Sequence, residues 1–460
     1  MVYPALAITL IVEGTFSVPI CAQERAVQTM TLTTLYNLAD QQSQKVRVSE
    51  VALRAADEGV VAAKSALLPS VDLSLQGSYT GNAFMLSRGF SSNGTTDYIV
   101  PGVGVVPVTN GKQDTPHWGN SFTAQVSQVV YAGGAIRSGI RMAELGREMA
   151  ELDVEKNRQE VHFLLTGYYL DLCKLDNQVE VVRQNIALTQ KEIEQMKARR
   201  EEGTVLQNDI TRYEFQLQSL ELTLTKLIDA STIINHQLVT TLHLPEQTVI
   251  VPDKNELDTD INALSAIAAQ ETWQQAASDN NLSIRQATVA TNLAKQKVKQ
   301  AKAASLPSVA VVAENQFFGP YTQDLIPKDC NVNVWFVGIG VKFSLSSLWK
   351  NKHNIRKARI EHQRSQEALA LAREGVENGV QANYTNLLTS YTEVKTQQKQ
   401  VELANQNYSV VQKRYQNDLA LLTDMVDASN MKLSAEMALV NARISMLYHF
   451  YKLKYITNAL

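Results

Sequence analysis

From Ile136 to Arg200 the chain keeps a helical pattern without a proline, and at 1.5 Å per residue such a helix is about 100 Å long. No ordinary globular core has that depth. Its apolar positions Val161, Leu165, Tyr168, Leu172, Leu175, Val179, Val182, Ile186, Ile193 and Met196 follow a seven-residue repeat, which predicts coiled-coil packing. A second pattern of the same kind places Val380, Leu387, Val394, Val401, Tyr408 and Tyr415 seven apart. Shorter helical patterns run over Val46 to Leu67, Asn208 to His243, Leu282 to Ser305 and Leu421 to Tyr451.

Between these helices a second signal occurs twice. Leu68-Pro69-Ser70-Val71 and Leu306-Pro307-Ser308-Val309 each end an Ala/Lys/Gln-rich helical pattern at a proline, and a period of two begins at once. Val71, Leu73, Leu75, Gly77 and Tyr79 alternate with Ser70, Asp72, Ser74, Gln76 and Ser78. Phe122, Ala124, Val126 and Val130 form the apolar side of its partner strand. In the second copy Val309, Val311, Ala313 and Phe317 are followed by Trp335, Val337, Ile339, Val341 and Phe343, set against Gly338, Gly340, Lys342 and Ser344. Two hairpins are therefore expected inside an otherwise helical chain.

Spacing indicates an internal duplication. Pro69 and Pro307 differ by 238, whereas Ile186 and Val401, like Asp209 and Asp424, differ by 215. The missing 23 residues fall in the first hairpin's longer tip, Gly81 to about Gly119, against Gly319 to Cys330 in the second. The expected division is a signal peptide over residues 1–22, a first repeat over 23–243 with its hairpin at 69–131, a linking segment over 244–280, and a second repeat over 281–460 with its hairpin at 307–345.

The apolar run Ala5 to Val12, then Pro19 and Ala22, supports the signal peptide. A lipidated Cys21 is the less favoured alternative, because Pro19 and Ile20 stand where small residues are wanted. The net charge of -3, with no basic block, argues against a nucleic-acid partner. Three cysteines and seven scattered histidines show no metal-ligand spacing, and there is no phosphate-cradling glycine loop, nucleophile elbow or HExxH. Neither an enzyme nor a cofactor site is expected.

Four strands cannot close a membrane-spanning barrel, and open edges in lipid leave backbone groups unpaired at several kcal/mol each, so copies of the chain must combine. Strands with one apolar and one polar face suit lipid outside and a lumen inside, which assigns Trp335, Val337, Ile339 and Val341 to lipid. A structural or tethering coiled-coil envelope protein would share the heptads but leaves those strand faces unexplained. A passive porin would share the strands but not the long helices.

The paired Leu-Pro-Ser-Val handovers, the Tyr131-Ala132-Gly133-Gly134 junction and the two helix-turn segments Ala198 to Ile210 and Arg414 to Ala428 together resemble the TolC-type outer-membrane efflux proteins. The resemblance covers essentially the whole chain after residue 22. It implies a mainly α fold with membrane β: long antiparallel coiled-coil helices forming an α-helical tube, and four strands per chain in a trimeric twelve-strand outer-membrane barrel. It further implies a duct of a tripartite efflux or type I secretion system in a Gram-negative bacterium, working with a periplasmic adaptor (membrane fusion) protein and an inner-membrane pump. Asp424 and Asp427 match the paired acidic positions that ring the family's periplasmic aperture, and Tyr415 and Asp209 match its closing network. Ala420 stands where the family has a basic latch residue. Without the resemblance, Asp424 and Asp427 are acids in a first helical turn, where they cap the helix. Cargo is not encoded in any of these residues.

Overall fold

The computed structural model describes residues 27–85, 95–100, 104–109, 111–113, 116–203, 205–253, 268–320, 329–417 and 419–460. The expected signal peptide at 1–22, with Cys21, lies outside them. In chain order the elements are β1 (Val27–Met30), α1 (Leu32–Gln42), α2 (Gln44–Ser65), β2 (Ser70–Tyr79), β3 (Ala83–Met85), β4 (Thr95–Val100), β5 (Gly104–Thr109), β6 (Gly111–Gln113), β7 (Trp118–Ala132) and α3 (Ala135–Glu201). They continue as α4 (Gln207–Thr241), β8 (Val249–Pro252), α5 (Gln270–Asn280), α6 (Leu282–Ala303), β9 (Ser308–Gly319), β10 (Val332–Lys342), α7 (Ser347–Lys350), α8 (Lys352–Gln416) and α9 (Leu422–Ile456). The protein is thus mainly helical, and its two long helices, α3 and α8, have 67 and 65 residues.

The chain forms two compact units. One, Val48–Lys156 with Ser278–Glu377, holds a four-stranded antiparallel sheet in the order β10-β9-β7-β2. Both handovers into it use the same local bonds. Leu67 and Leu68 N–H donate to the carbonyls of Lys64 and Ser65, and Ser305 and Leu306 N–H to those of Lys302 and Ala303, tightening each last turn before the proline. Leaving β7, the chain turns through Gly133 at φ 61°, where a Cβ would lie 2.7 Å from the Leu306 Cβ and 2.9 Å from the Ala303 carbonyl oxygen. Both conformation and space therefore require glycine there. Asn351 Nδ2 donates to the Ala301 carbonyl at 2.6 Å and to Ser305 Oγ at 2.8 Å, so the start of α8 is tied to the end of α6. The helices of this unit pack through Leu145, Leu152, Leu282 and Val289.

The longer first hairpin carries ladders of its own, β3 with β6 and β4 with β5, where only a long tip was expected. The runs Thr95–Val100 and Gly104–Thr109, rich in β-branched residues on either side of the Pro101-Gly102 turn signal, are the sequence feature that could have located β4 and β5.

The other unit contains the described residues up to Arg47, Asn157–Ala277 and Asn378–Leu460. The segment 244–280, expected to be a linker, supplies β8, which pairs in parallel with β1, and α5. Helix α1 docks on α3: Asp40 accepts from His162 Nε2 at 2.9 Å and pairs with Arg158 at 3.2 Å, and Tyr36 stacks on the His162 ring with centroids 4.3 Å apart. Burial holds the His162 pKa below its ordinary value despite Asp40.

Of the expected heptad positions of α8, Val380, Leu387, Val394 and Tyr408 are buried, and Val401 and Tyr415 are half-buried. On α3, Tyr168, Leu175, Val179 and Ile186 are only half-buried, while Gln178, Asn185 and Glu192 are buried. Those three polar residues are seven apart, and each reaches across to another helix. Gln178 Nε2 donates to Asn441 Oδ1 at 3.0 Å, Asn185 Nδ2 to Glu436 Oε2 at 3.1 Å, and Gln412 Nε2 to Glu192 Oε1 at 2.5 Å. Polar pairs inside a coiled-coil seam favour one register, because a slip of one turn would bury each group without its partner.

Candidate functional site

Two groups of residues are at issue, one in each unit. At the turns from α3 to α4 and from α8 to α9, the connection is short: Gly203 takes φ 80° after α3, and Leu419 N–H returns to the Arg414 carbonyl after α8 at 2.8 Å. Helices α4 and α9 then begin alike. Asp209 Oδ2 accepts from Leu206 N–H at 3.4 Å, and Asp424 Oδ2 accepts from Leu421 N–H at 3.1 Å, so each carboxylate satisfies a donor at its helix's N-terminus. Capping is therefore an observed role of Asp209 and Asp424. Asp427 lines a groove of about 610 Å³ between α4 and α9, with Thr211, Arg212, Phe215, Thr423 and Val426.

Behind these turns lies a buried cluster of Ile193, Met196, Val205, Ile210, Tyr213, Tyr408, Leu422, Met425 and Ala428, against which Tyr415 packs. The structure sets Tyr415 beside Arg199, whose guanidinium carbon lies 5.6 Å from the ring centroid and whose Nη1 donates to the Tyr415 carbonyl at 3.4 Å. Arg199 is thus a cation bridging α3 and α8 at the turn whose expected latch position holds Ala420. Glu192 and Gln412 join the same two helices one to two turns away. Burial, with the Glu192 carboxylate adding to it, pushes the hydroxyl pKa values of Tyr213 and Tyr408 well above that of a free tyrosine, so both stay neutral. Arg199, Glu192 and Gln412 were not legible in the sequence as site residues. A charged or amide side chain between heptad positions normally lies on a solvated face, and here Glu192 is only 3% exposed.

In the other unit, strand register decides which side chains share a face. Val71, Leu73, Leu75 and Tyr79 pair with Val126, Ala124, Phe122 and Trp118. The latter continue across β9 through Ala313, Asn315 and Phe317 to Val337, Trp335 and Asn333. Trp335, Val337, Ile339 and Val341 therefore lie on one continuous, mostly apolar face, and they are 71%, 67%, 74% and 68% exposed. A bulge interrupts the ladder near its end: pairing passes from Val129 directly to Tyr131, so that Tyr131 rather than Val130 stands opposite Val309. The opposite face is polar along β2 and β7 but begins in β10 with Val332, Val334 and Phe336 before reaching Gly338, Gly340 and Lys342.

Known proteins resemble this chain along most of its length. A family model described as outer membrane efflux protein matches residues 35–240 and 273–459. Outer membrane protein TolC of Salmonella enteritidis is 20% identical over 441 residues, which span 94% of this chain and 83% of that protein. The outer membrane protein VceC of Vibrio cholerae has the same fold, with a TM-score of 0.72 at 15% identity over 93% of this chain and 96% of VceC. So does the CmeC outer membrane channel of Campylobacter jejuni, with a TM-score of 0.68 at 16% identity over 99% of this chain and 94% of CmeC.

Proposed function

This chain belongs to the outer membrane efflux protein family, the non-enzymatic TolC-type efflux channels of the Gram-negative outer membrane, and on that premise we propose that three copies close one twelve-strand barrel. The observation that carries the proposal is the open sheet. Among the described residues its outer strands β2 and β10 each pair on one side only, and one of its faces is a band of exposed valine, leucine, isoleucine and tryptophan. In lipid those edges must pair, and further copies of the same sheet supply the partners, β10 of one copy meeting β2 of the next. Trp335, Val337, Ile339 and Val341 face lipid, and Gly338, Gly340 and Lys342 face the lumen. From Trp335 to Val341 the face runs about 20 Å along the strand, comparable with the roughly 25 Å apolar band of outer-membrane barrels.

The helical part forms the duct across the periplasm, and the α3–α4 and α8–α9 turns close its far end. Asp424 and Asp427 from three copies ring the aperture and favour cations there. Arg199 on Tyr415, and Gln412 on Glu192, clasp α3 to α8 and keep the aperture narrow; Asp209 contributes by fixing the start of α4. Arg199 thereby supplies the positive charge that Ala420 does not. The channel serves an adaptor protein and an inner-membrane pump, which together set the cargo.

Light scattering of the detergent-extracted protein tests the assembly. The expected mass is that of three chains; a monomer or dimer mass would remove the basis for the barrel.

A further inference from the structure

All four connections between helix and sheet meet at one end of the sheet, as the register shows: β2 begins at Ser70, β7 ends at Ala132 opposite Ser308, and Ser308 pairs with Lys342 at the end of β10. The helical residues next to this end are one-sided in charge. Residues 59–69 carry Lys64; 133–143 carry Arg137 and Arg141; 294–307 carry Lys295, Lys297, Lys299 and Lys302; and 343–360 carry Lys350, Lys352, Arg356, Lys357 and Arg359. That makes twelve basic residues, and the nearest acids along these helices, Asp57, Glu58, Glu144 and Glu361, lie just beyond them, in a chain whose net charge is -3. All twelve are exposed. Two of them, Arg141 and Lys357, have an acidic partner on their own helix, Glu144 and Glu361.

In sequence, Leu67 and Leu68 stand between Lys64 and β2, and Leu345, Leu348 and Trp349 between β10 and Lys350, and all five are exposed. We propose that this basic collar binds the anionic headgroups of phospholipids in the bilayer leaflet nearest the helices. The inference rests on the membrane-channel reading. The geometry is that of an interface: apolar and aromatic side chains at the edge of the hydrocarbon, and long basic side chains just beyond it, whose methylene stems can lie along apolar surface while their charges reach the headgroups. A soluble acidic partner would match the charge but leave the leucines and Trp349 without a role.

The test uses the full-length trimer in nanodiscs of phosphatidylcholine alone or of phosphatidylcholine with phosphatidylglycerol, with the retained lipids read by native mass spectrometry. The parent protein should retain phosphatidylglycerol several-fold above its share of the mixture, and 1 M salt should weaken the preference. The variant Lys350→Ser/Lys352→Ser/Arg356→Ser should lose most of the enrichment while keeping the trimer mass, and Lys395→Ser/Lys399→Ser, remote in sequence from the collar, should keep it. A parent trimer that inserts but shows no enrichment overturns the collar alone. So does a collar variant that retains as much phosphatidylglycerol as the parent, or a detergent-solubilised trimer that prefers soluble acidic peptide or peptidoglycan fragments to the lipid. A parent protein that enters neither bilayer overturns the channel reading and this inference with it.

Discussion

Asp209 and Asp424 show how one side chain can serve two ends at once. Each accepts from the backbone N–H of the residue that starts its own helix, the return half of a capping box, and each sits in a first turn where a carboxylate is favoured by the helix dipole. Capping fixes where the charge points, and so it does not compete with a role at an aperture. The clasp behind the turns is where closure can be tested at single residues. Gln412→Ala leaves the buried Glu192 carboxylate without its amide donor, a loss of about 1.5–3 kcal/mol for a bond to a charged group. In planar bilayers this variant, and Arg199→Ala, which removes both the cation over the Tyr415 ring and the donor to its carbonyl, should raise the open fraction and the mean conductance; conductance equal to the parent's in both would make these contacts packing only. Asp424, Asp427, Tyr415 and Asp209 are proposed from the sequence because their turn segments resemble a known family. Arg199, Glu192 and Gln412 were not, because heptad spacing identifies which apolar positions meet but not which polar ones are drawn in with them.

At the scale of elements, what the sequence showed most clearly was periodicity. The long helices, the proline handovers and the four strands of the main sheet all follow from spacing that a short window can detect. The structure adds what depends on distant partners: the β1–β8 pair, whose strands are 4 residues each and more than 200 apart in sequence, and the bulge that sets Tyr131 rather than Val130 opposite Val309. Register also allows the sheet faces to be tested against each other. Val337 is on the apolar face, and arginine near the bilayer midplane there should cost about 2–4 kcal/mol. Its neighbour Gly338 is on the other face, with nothing within 4 Å of a Cβ placed on it. Val337→Arg should therefore sharply reduce the yield of heat-resistant trimer on gels, and Gly338→Ser should leave it near the parent's. Equal loss in both would mean the faces are wrongly assigned.

For the whole molecule, the same order of short helix, strand, strand, long helix and helix occurs twice, once from α2 to α4 and again from α6 to α9, apart from the small β3–β6 ladders and α7. This order follows from the handovers and heptads, whereas the number of copies in the assembly is written in no single chain and enters through the unpaired edges of its sheet and through the family. The assembly proposed is a membrane channel whose helical end is held narrow by the clasps and ringed by carboxylates. Single-channel recording in planar bilayers, with ion selectivity taken from reversal potentials at 0.1 M and 1 M salt, tests it most directly. Screening shortens from about 10 Å to about 3 Å between those concentrations. The parent should form a poorly conducting, cation-preferring channel whose preference fades at high salt, and Asp424→Asn/Asp427→Asn should lose that preference as an intact trimer. No channel at all, or a double variant as cation-selective as the parent, would contradict the account.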